Sequence, residues 1–209
     1  QSSENAIENK IFIENKMFME IRGTERMKNI TKEEMNIKEF FEKYPNVAIA
    51  LSGGVDSVFL VYMAKKYAKS VKAYFVKSVF QPEFEKKDAE KICRQLGVDL
   101  KILNVDVLSN KLVTDNPVNR CYYCKQGVFG TILEAAKNDG MTVILDGTNA
   151  SDDADDRPGM KALQEMKVLS PLRMCGYVKS EIRKQSKEAG LFVYNKPSYA
   201  CLATRIPTG

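Results

Sequence analysis

The stretch "NVAIALSGGVDSVFLVYMA", running from Asn46 to Ala64, constrains the fold more than any other part of the chain. The apolar run Val47 to Leu51 shows no period-two alternation, which is the pattern of a strand covered on both faces. It stops at Ser52, turns through Gly53 and Gly54, and enters a second apolar stretch of helical character. A doubly covered strand feeding directly into a helix is the first half of a β–α–β unit, and it calls for a parallel sheet between helices. The expected fold class is therefore α/β, a Rossmann-like parallel sheet with helices on both faces.

The rest of the sequence continues the alternation. "TKEEMNIKEFFEKY" reads as a helix with Thr31 as N-cap and Glu34 completing a capping box. "VFLVYMAKKYAK" is helix and "VKAYFVKS" strand. "EFEKKDAEKICRQLG" is a helix stopped by Gly97, and "DLKILNVD" is strand. Residues 122 to 138 read as helix, "TVILDGTN" as strand, and "YVKSEIRKQSKEAG" as a late helix ended by Gly190. Residues 1–30 are polar and weakly patterned, an N-terminal extension. Residues 31–209 form one domain.

Several function classes drop out on composition. No apolar run approaches a membrane span, and no charged start followed by an apolar region marks a signal peptide. A cytoplasmic location is expected. The formal charge of +5 over 209 residues comes from lysines interleaved with glutamates, as in "EFEKKDAEK". That pattern describes solvated helix faces and does not indicate nucleic acid; an anionic small substrate suits it equally. The chain has no histidine, so imidazole can serve neither as base nor as metal ligand. Its five cysteines, with no secretory signal, argue against a disulfide scaffold and for thiol, metal or cluster chemistry.

The SGGVDS turn has a chemistry of its own. Glycines after a buried strand let the backbone turn tightly and approach a ligand. The helix beginning there presents free N–H groups and a dipole that favours an anion. Ser52 and Ser57 add hydroxyls, and Asp56 can hold Mg²⁺ beside a phosphate or pyrophosphate. The spacing of the common phosphate loop, Gly-x-x-x-x-Gly-Lys, is absent, and so is the dinucleotide fingerprint.

"NRCYYCK" carries Cys121 and Cys124, which a helix beginning near Tyr122 sets one turn apart on the same side. Such a pair can be a redox couple, half of a zinc site or two half-buried thiols; a full zinc site wants four ligands. Cys201 lies in "KPSYACLATR", an irregular segment whose Lys196 and Arg205 suit a reactive sulfur. Three thiolates without a fourth can also hold a [4Fe–4S] cluster with one iron open. Cys93 shares a helical face with Ala89, Ile92 and Leu96 and reads as a buried structural thiol. Cys175 leans the same way.

SGGVDS resembles the pyrophosphate loop of the PP-loop ATP pyrophosphatases, which cleave ATP between the α and β phosphates and transfer AMP to a substrate oxygen. "SGGVDS", "NRCYYCK", "DGTNASDDADDRPG", "LSPL" and "KPSYACLATRIPTG" occur in the order seen in the LarE family. These are ATP-dependent sulfur transferases that make the thiolated pyridinium precursor of the nickel-pincer nucleotide cofactor. The resemblance implies that Ser52, Gly53, Gly54, Asp56 and Ser57 grip the ATP pyrophosphate and its Mg²⁺. It places Ser78 near the adenosine and Gly147 and Thr148 on the other side of the nucleotide. It makes Arg120, Asp153 and Arg157 phosphate or magnesium contacts, with Asp153 joining Asp56 at Mg²⁺, and it matches Cys201 to the family's sulfur-handling cysteine. The family holds two mechanisms. In one, the cysteine at the Cys201 position gives up its own sulfur. In the other, three cysteines bind a [4Fe–4S] cluster, and the presence of Cys121 and Cys124 beside Cys201 favours this version. A nucleotide substrate, a sulfur donor and a homo-oligomer are implied as partners. A PP-loop tRNA thiolase is the alternative. Family members continue past the position of Gly209, so the domain is expected to stop short of the family's C-terminus.

Overall fold

A computed structural model describes residues 35–152, 158–199, 201–205 and 207. The stretch from Met35 to Gly209 is one compact unit. Four strands form an all-parallel sheet: β1 (Asn46–Ala50), β2 (Ser70–Lys77), β3 (Asp99–Asn104) and β4 (Val143–Leu145). Their spatial order is β3-β2-β1-β4. The register pairs Asn46 with Ser70, Lys72 with Asp99 and Val47 with Val143.

Side-chain alternation along each strand divides the interior in two. On one face Val47, Ile49, Ala73 and Phe75 pack under α1 (Ile37–Lys43), α2 (Val55–Tyr67), α3 (Glu83–Leu96) and α8 (Lys179–Glu188). On the other, Ala48, Tyr74, Val76 and Ile144 meet Phe129 and Ile132 of α5 (Arg120–Asn138) and Leu163 of α6 (Pro158–Glu165). Two further helical turns, α4 (Lys111–Thr114) and α7 (Pro171–Met174), lie in the connections. Helices on both faces of a parallel sheet are the expected fold class. No helix among the described residues is long and apolar enough to cross a membrane.

Helix α1 begins at Ile37. Thr31 and Glu34 lie outside the described residues, and Asn36 caps α1: its side chain accepts from the backbone of Lys38 and Glu39, while Glu39 reaches back to the N–H of Asn36. Asn36 and Glu39 thus form a capping box. β4 is shorter than "TVILDGTN". It stops at Leu145, and Asp146 N–H turns to the carbonyl of Leu169, which releases Gly147 and Thr148 into a loop. Helix α5 begins at Arg120, so both Cys121 and Cys124 fall in its first turns. Helices α3 and α8 end just before Gly97 and Gly190, where the sequence stops them.

The far end of α5 is pinned to the sheet by a charged cluster. Asp139 accepts from Tyr74 Oη at 2.8 Å and pairs with Lys72 Nζ at 3.0 Å and Lys101 Nζ at 3.2 Å. Lys72 first, then the Tyr74 hydroxyl and Lys101, hold its carboxyl down at about 2. Because the folded value lies below that of the unfolded chain, this contribution is fully present above roughly pH 4 and fades as pH falls towards the folded value. Asp139→Asn should therefore lower stability to urea at pH 7, and its midpoint should converge on that of the parent protein below about pH 2.

Candidate functional site

Chain direction reverses at the carboxyl ends of β1 and β4. From β1 the chain moves outward to β2 and β3, and it returns through α5 to place β4 on the other side of β1. Open parallel sheets bind ligands at such a switch point. Here it brings the SGGVDS turn beside the loop after β4. A cavity of about 310 Å³ opens there. Leu51, Val76, Val128 and Phe129 make its apolar wall, and Ser52, Asp56, Thr148 and Lys125 its polar end.

The turn is held by its own side chains. Ser57, buried, donates to the carbonyl of Gly54 at 3.1 Å, accepts from Ser52 N–H at 3.2 Å and lies 3.0 Å from Ser52 Oγ. Ser57 thus shapes the loop, while Ser52 stands exposed at its mouth. Gly53 is left-handed, with φ of 78°, and a β-carbon there would stand 2.7 Å from the carbonyl oxygen of Glu85. Gly54 is different: its φ is −81°, and a β-carbon would meet only Ser52 Oγ at 3.5 Å. The requirement for a missing side chain rests on Gly53. Gly147 carries a second such requirement, since a β-carbon there would sit 2.8 Å from Ser57 N and 2.9 Å from Ser57 Cα. Only a bare backbone lets the β4 loop lie against the start of α2.

Asp56 sits in the first turn of α2, where the helix dipole favours an anion. Its Oδ2 accepts from Lys179 Nζ. Its Oδ1 is buried and has no hydrogen-bond partner, an orphaned carboxylate oxygen of the kind a hard cation satisfies. Asp146, also buried, faces the cavity and accepts from the hydroxyls of Thr148 and Ser170.

Two expected contacts have other tasks. Ser78 is buried and outside the cavity wall; its hydroxyl donates to Gln81 Oε1 at 2.5 Å and accepts from Phe80 N–H, so that Gln81 rather than Ser78 faces the cavity. Arg120 donates to the carbonyl of Ala203 at 2.7 Å and to Asn116, and approaches Cys121 Sγ at 3.8 Å. It ties the start of α5 to the segment that follows Cys201. Asp153 and Arg157 lie outside the described residues. Sequence reasoning missed Lys179, Lys125, Gln81 and Asp146. Asp146 alone carried a signal, as an acid ending an apolar run.

A second cavity of about 300 Å³ lies across the SGGVDS turn. Ser52, Asp56 and Gln81 border both cavities; Cys201, Tyr199, Lys179 and Lys196 line the second alone. Cys201 and Cys121 are exposed, and Cys124 is half-buried. Burial pushes the Cys124 thiol up, and the Cys201 and Cys121 thiols push it further. Among the described residues, however, no three His, Cys, Asp or Glu side chains are gathered closely enough to hold a metal ion. The basic residues near Cys201 are engaged elsewhere: Lys196 Nζ donates to the Gly53 carbonyl at 3.0 Å and Asp88 at 2.6 Å, and the Arg205 guanidinium lies 5.0 Å from the centre of the Tyr199 ring. Cys93 is buried, and burial lifts its thiol to about 12. Cys175 packs against the same core with its thiol lifted to about 11.

Comparison with known proteins follows this geometry. Residues 25–156 match the PP-loop domain model. An uncharacterized protein of Synechocystis sp. is 34% identical over 176 residues, which cover 83% of this chain and 65% of that protein. The pyridinium-3,5-bisthiocarboxylic acid mononucleotide synthase of Lactiplantibacillus plantarum is 30% identical over 165 residues, 78% of this chain and 60% of the synthase. The chain thus spans slightly under two thirds of the length of these relatives. The U34-tRNA thiolase NcsA from Methanococcus maripaludis, solved with its [4Fe–4S] cluster, has the same fold, with a TM-score of 0.56 at 20% identity over 77% of this chain and 62% of its own. The matched residues 25–156 take in more than half of the chain and every strand of the sheet, and on that ground the chain belongs to the PP-loop family.

Proposed function

We propose that the protein adenylates a carboxylate of a pyridinium biscarboxylate mononucleotide and replaces a carboxylate oxygen with sulfur. One observation carries this reading: Asp56 and Ser52 form the wall between a nucleotide-sized cavity and a second cavity that Cys201 lines. ATP in the first would meet an acceptor in the second across the SGGVDS turn. The similarity to the Lactiplantibacillus synthase supports the choice of acceptor.

The apolar wall of Leu51, Val76 and Phe129 would take the adenine, and the N-terminus of α2 with Ser52 would take the phosphates. Mg²⁺ fits at the unpartnered Asp56 Oδ1, where it would neutralise charge on the departing pyrophosphate. A carboxylate oxygen of the acceptor attacks the α-phosphorus and pyrophosphate leaves. Sulfur then attacks the acyl carbon and AMP leaves. No general base is required, since the carboxylate is already a nucleophile, and the burden falls on alignment and charge stabilisation.

Cys121, Cys124 and Cys201 supply a donor set that suits a [4Fe–4S] cluster: three thiols, and no histidine in the chain to replace one. Bound by these three thiols, such a cluster would supply sulfide for the transfer. A separate sulfur donor would replenish that sulfide, and the working protein would be a homo-oligomer in the cytoplasm. A second reading uses Cys201 alone, which is exposed and lines the second cavity. In that reading the Cys201 thiolate attacks the acyl adenylate and AMP leaves; loss of the Cα proton then breaks the Cβ–S bond, giving the thiocarboxylate and dehydroalanine.

The adenylation half-reaction is checked by pyrophosphate release. Release should rise at least about tenfold on adding the pyridinium biscarboxylate mononucleotide to protein, ATP and Mg²⁺. A stimulation by tRNA and none by the mononucleotide would instead favour a thiolase acting on tRNA.

A further inference from the structure

The two oxygens of Asp56 are in different states. Oδ2 is bound by Lys179 Nζ, and Oδ1 is buried without a partner. The pair is partly enclosed, with side-chain exposures of 21% for Asp56 and 31% for Lys179. Its energy therefore exceeds that of a fully solvated pair.

Lys179 opens helix α8. A cation at that end opposes the helix dipole, so local preference argues against lysine here and the contact with Asp56 offsets the cost. Its backbone N–H is fixed to Ser151 Oγ at 3.0 Å, which anchors the start of α8 on the loop after β4. The side chain beyond that anchor is a four-carbon stem that can swing. The other lysine of the second cavity behaves differently. Lys196 Nζ is tied to both a backbone carbonyl and a carboxylate, whereas Lys179 Nζ has Asp56 as its one acceptor among the described residues.

We propose that Lys179 is a built-in stand-in for the divalent cation. It neutralises Asp56 while nucleotide is absent and leaves when the cation arrives with ATP, its ammonium then pairing with a phosphate oxygen. The step exchanges one set of ion pairs for another, and no covalent bond changes. A bare cation must displace a bound ammonium, which then has no new acceptor. A cation brought by ATP comes with phosphate oxygens that take that ammonium. Metal entry is thereby made conditional on nucleotide. The inference rests on Asp56 being the metal-bearing residue.

Mn²⁺ binding followed by electron paramagnetic resonance tests it, with Mn²⁺ alone and with a non-hydrolysable ATP analogue. The parent protein should bind Mn²⁺ weakly alone and tightly with the analogue. Lys179→Gln should bind Mn²⁺ alone on the order of tenfold more tightly than the parent. Lys179→Arg, which keeps the charge, should behave like the parent, and the double variant Lys179→Gln with Asp56→Asn should lose the gain. Equal Mn²⁺ affinities in the parent and Lys179→Gln overturn the role of Lys179. So does a gain that survives in the double variant, or one shared by Lys179→Arg. A parent protein that takes no Mn²⁺ even with the analogue overturns the assignment of Asp56, and the role of Lys179 with it.

Discussion

Asp56→Ala should leave a folded protein whose ATP-to-AMP turnover is lower by at least about two orders of magnitude. The expectation of a folded protein comes from how the loop is held. The bonds that shape the turn run among Ser52, Gly54 and Ser57, and the carboxylate of Asp56 takes part in none of them. The substitution removes an acid with one oxygen on Lys179 and the other buried and unpartnered, so the folded state loses one partly exposed ion pair and sheds an unpartnered buried oxygen. The reaction loses the only carboxylate in the turn. Pyrophosphate release at the parent rate in this variant would remove Asp56 from the chemistry. Ser57→Ala should behave in the opposite way and lower thermal stability, because its hydroxyl joins three parts of the loop.

The cysteines carry the second large effect. If Cys121, Cys124 and Cys201 act together, each single change to alanine after anaerobic reconstitution should remove most of the bound iron and most of the sulfur transfer, while Cys93→Ala spares both. Cys93 is the informative control, because it is buried in the sheet–helix core and its thiol is held protonated by burial. If Cys201 alone gives up sulfur, the Cys121 and Cys124 variants should stay active, and mass spectrometry should find dehydroalanine at position 201 after one turnover. These two patterns exclude one another, and both are compatible with adenylation at the SGGVDS turn.

Local pattern was enough for the parts of this fold that depend on neighbours in sequence. The apolar run into SGGVDS specifies a doubly covered strand and its turn, and Gly97 and Gly190 stop helices where a helix C-terminus needs them. The capping box of Asn36 and Glu39 went unread, although Asn36 precedes its glutamate by three residues, and the helix it opens packs Ile37, Phe40 and Phe41 into the core. Contacts between distant segments are harder still. Nothing around Lys179 distinguishes it from the other lysines of its helix, yet it meets Asp56 because α8 packs on the same face of the sheet as α2. Ser78 and Arg120 show the reverse case. The family pattern implies a nucleotide contact for each, but a local hydrogen bond turns Ser78 towards Gln81 and a long-range one turns Arg120 towards Ala203. Gly147 stands between the two cases: the motif marks it, and its reason is the approach of the Ser57 backbone from another element.

Sulfur insertion itself is read most directly from the mass of the nucleotide product. Protein reconstituted with iron and sulfide, or isolated without them, is incubated with ATP, Mg²⁺ and the pyridinium biscarboxylate mononucleotide. The product should gain the mass difference between sulfur and oxygen at a carboxylate, with one AMP formed for each sulfur inserted and none without ATP. AMP formed while the nucleotide keeps its original mass, under both preparations, would contradict sulfur transfer to this substrate.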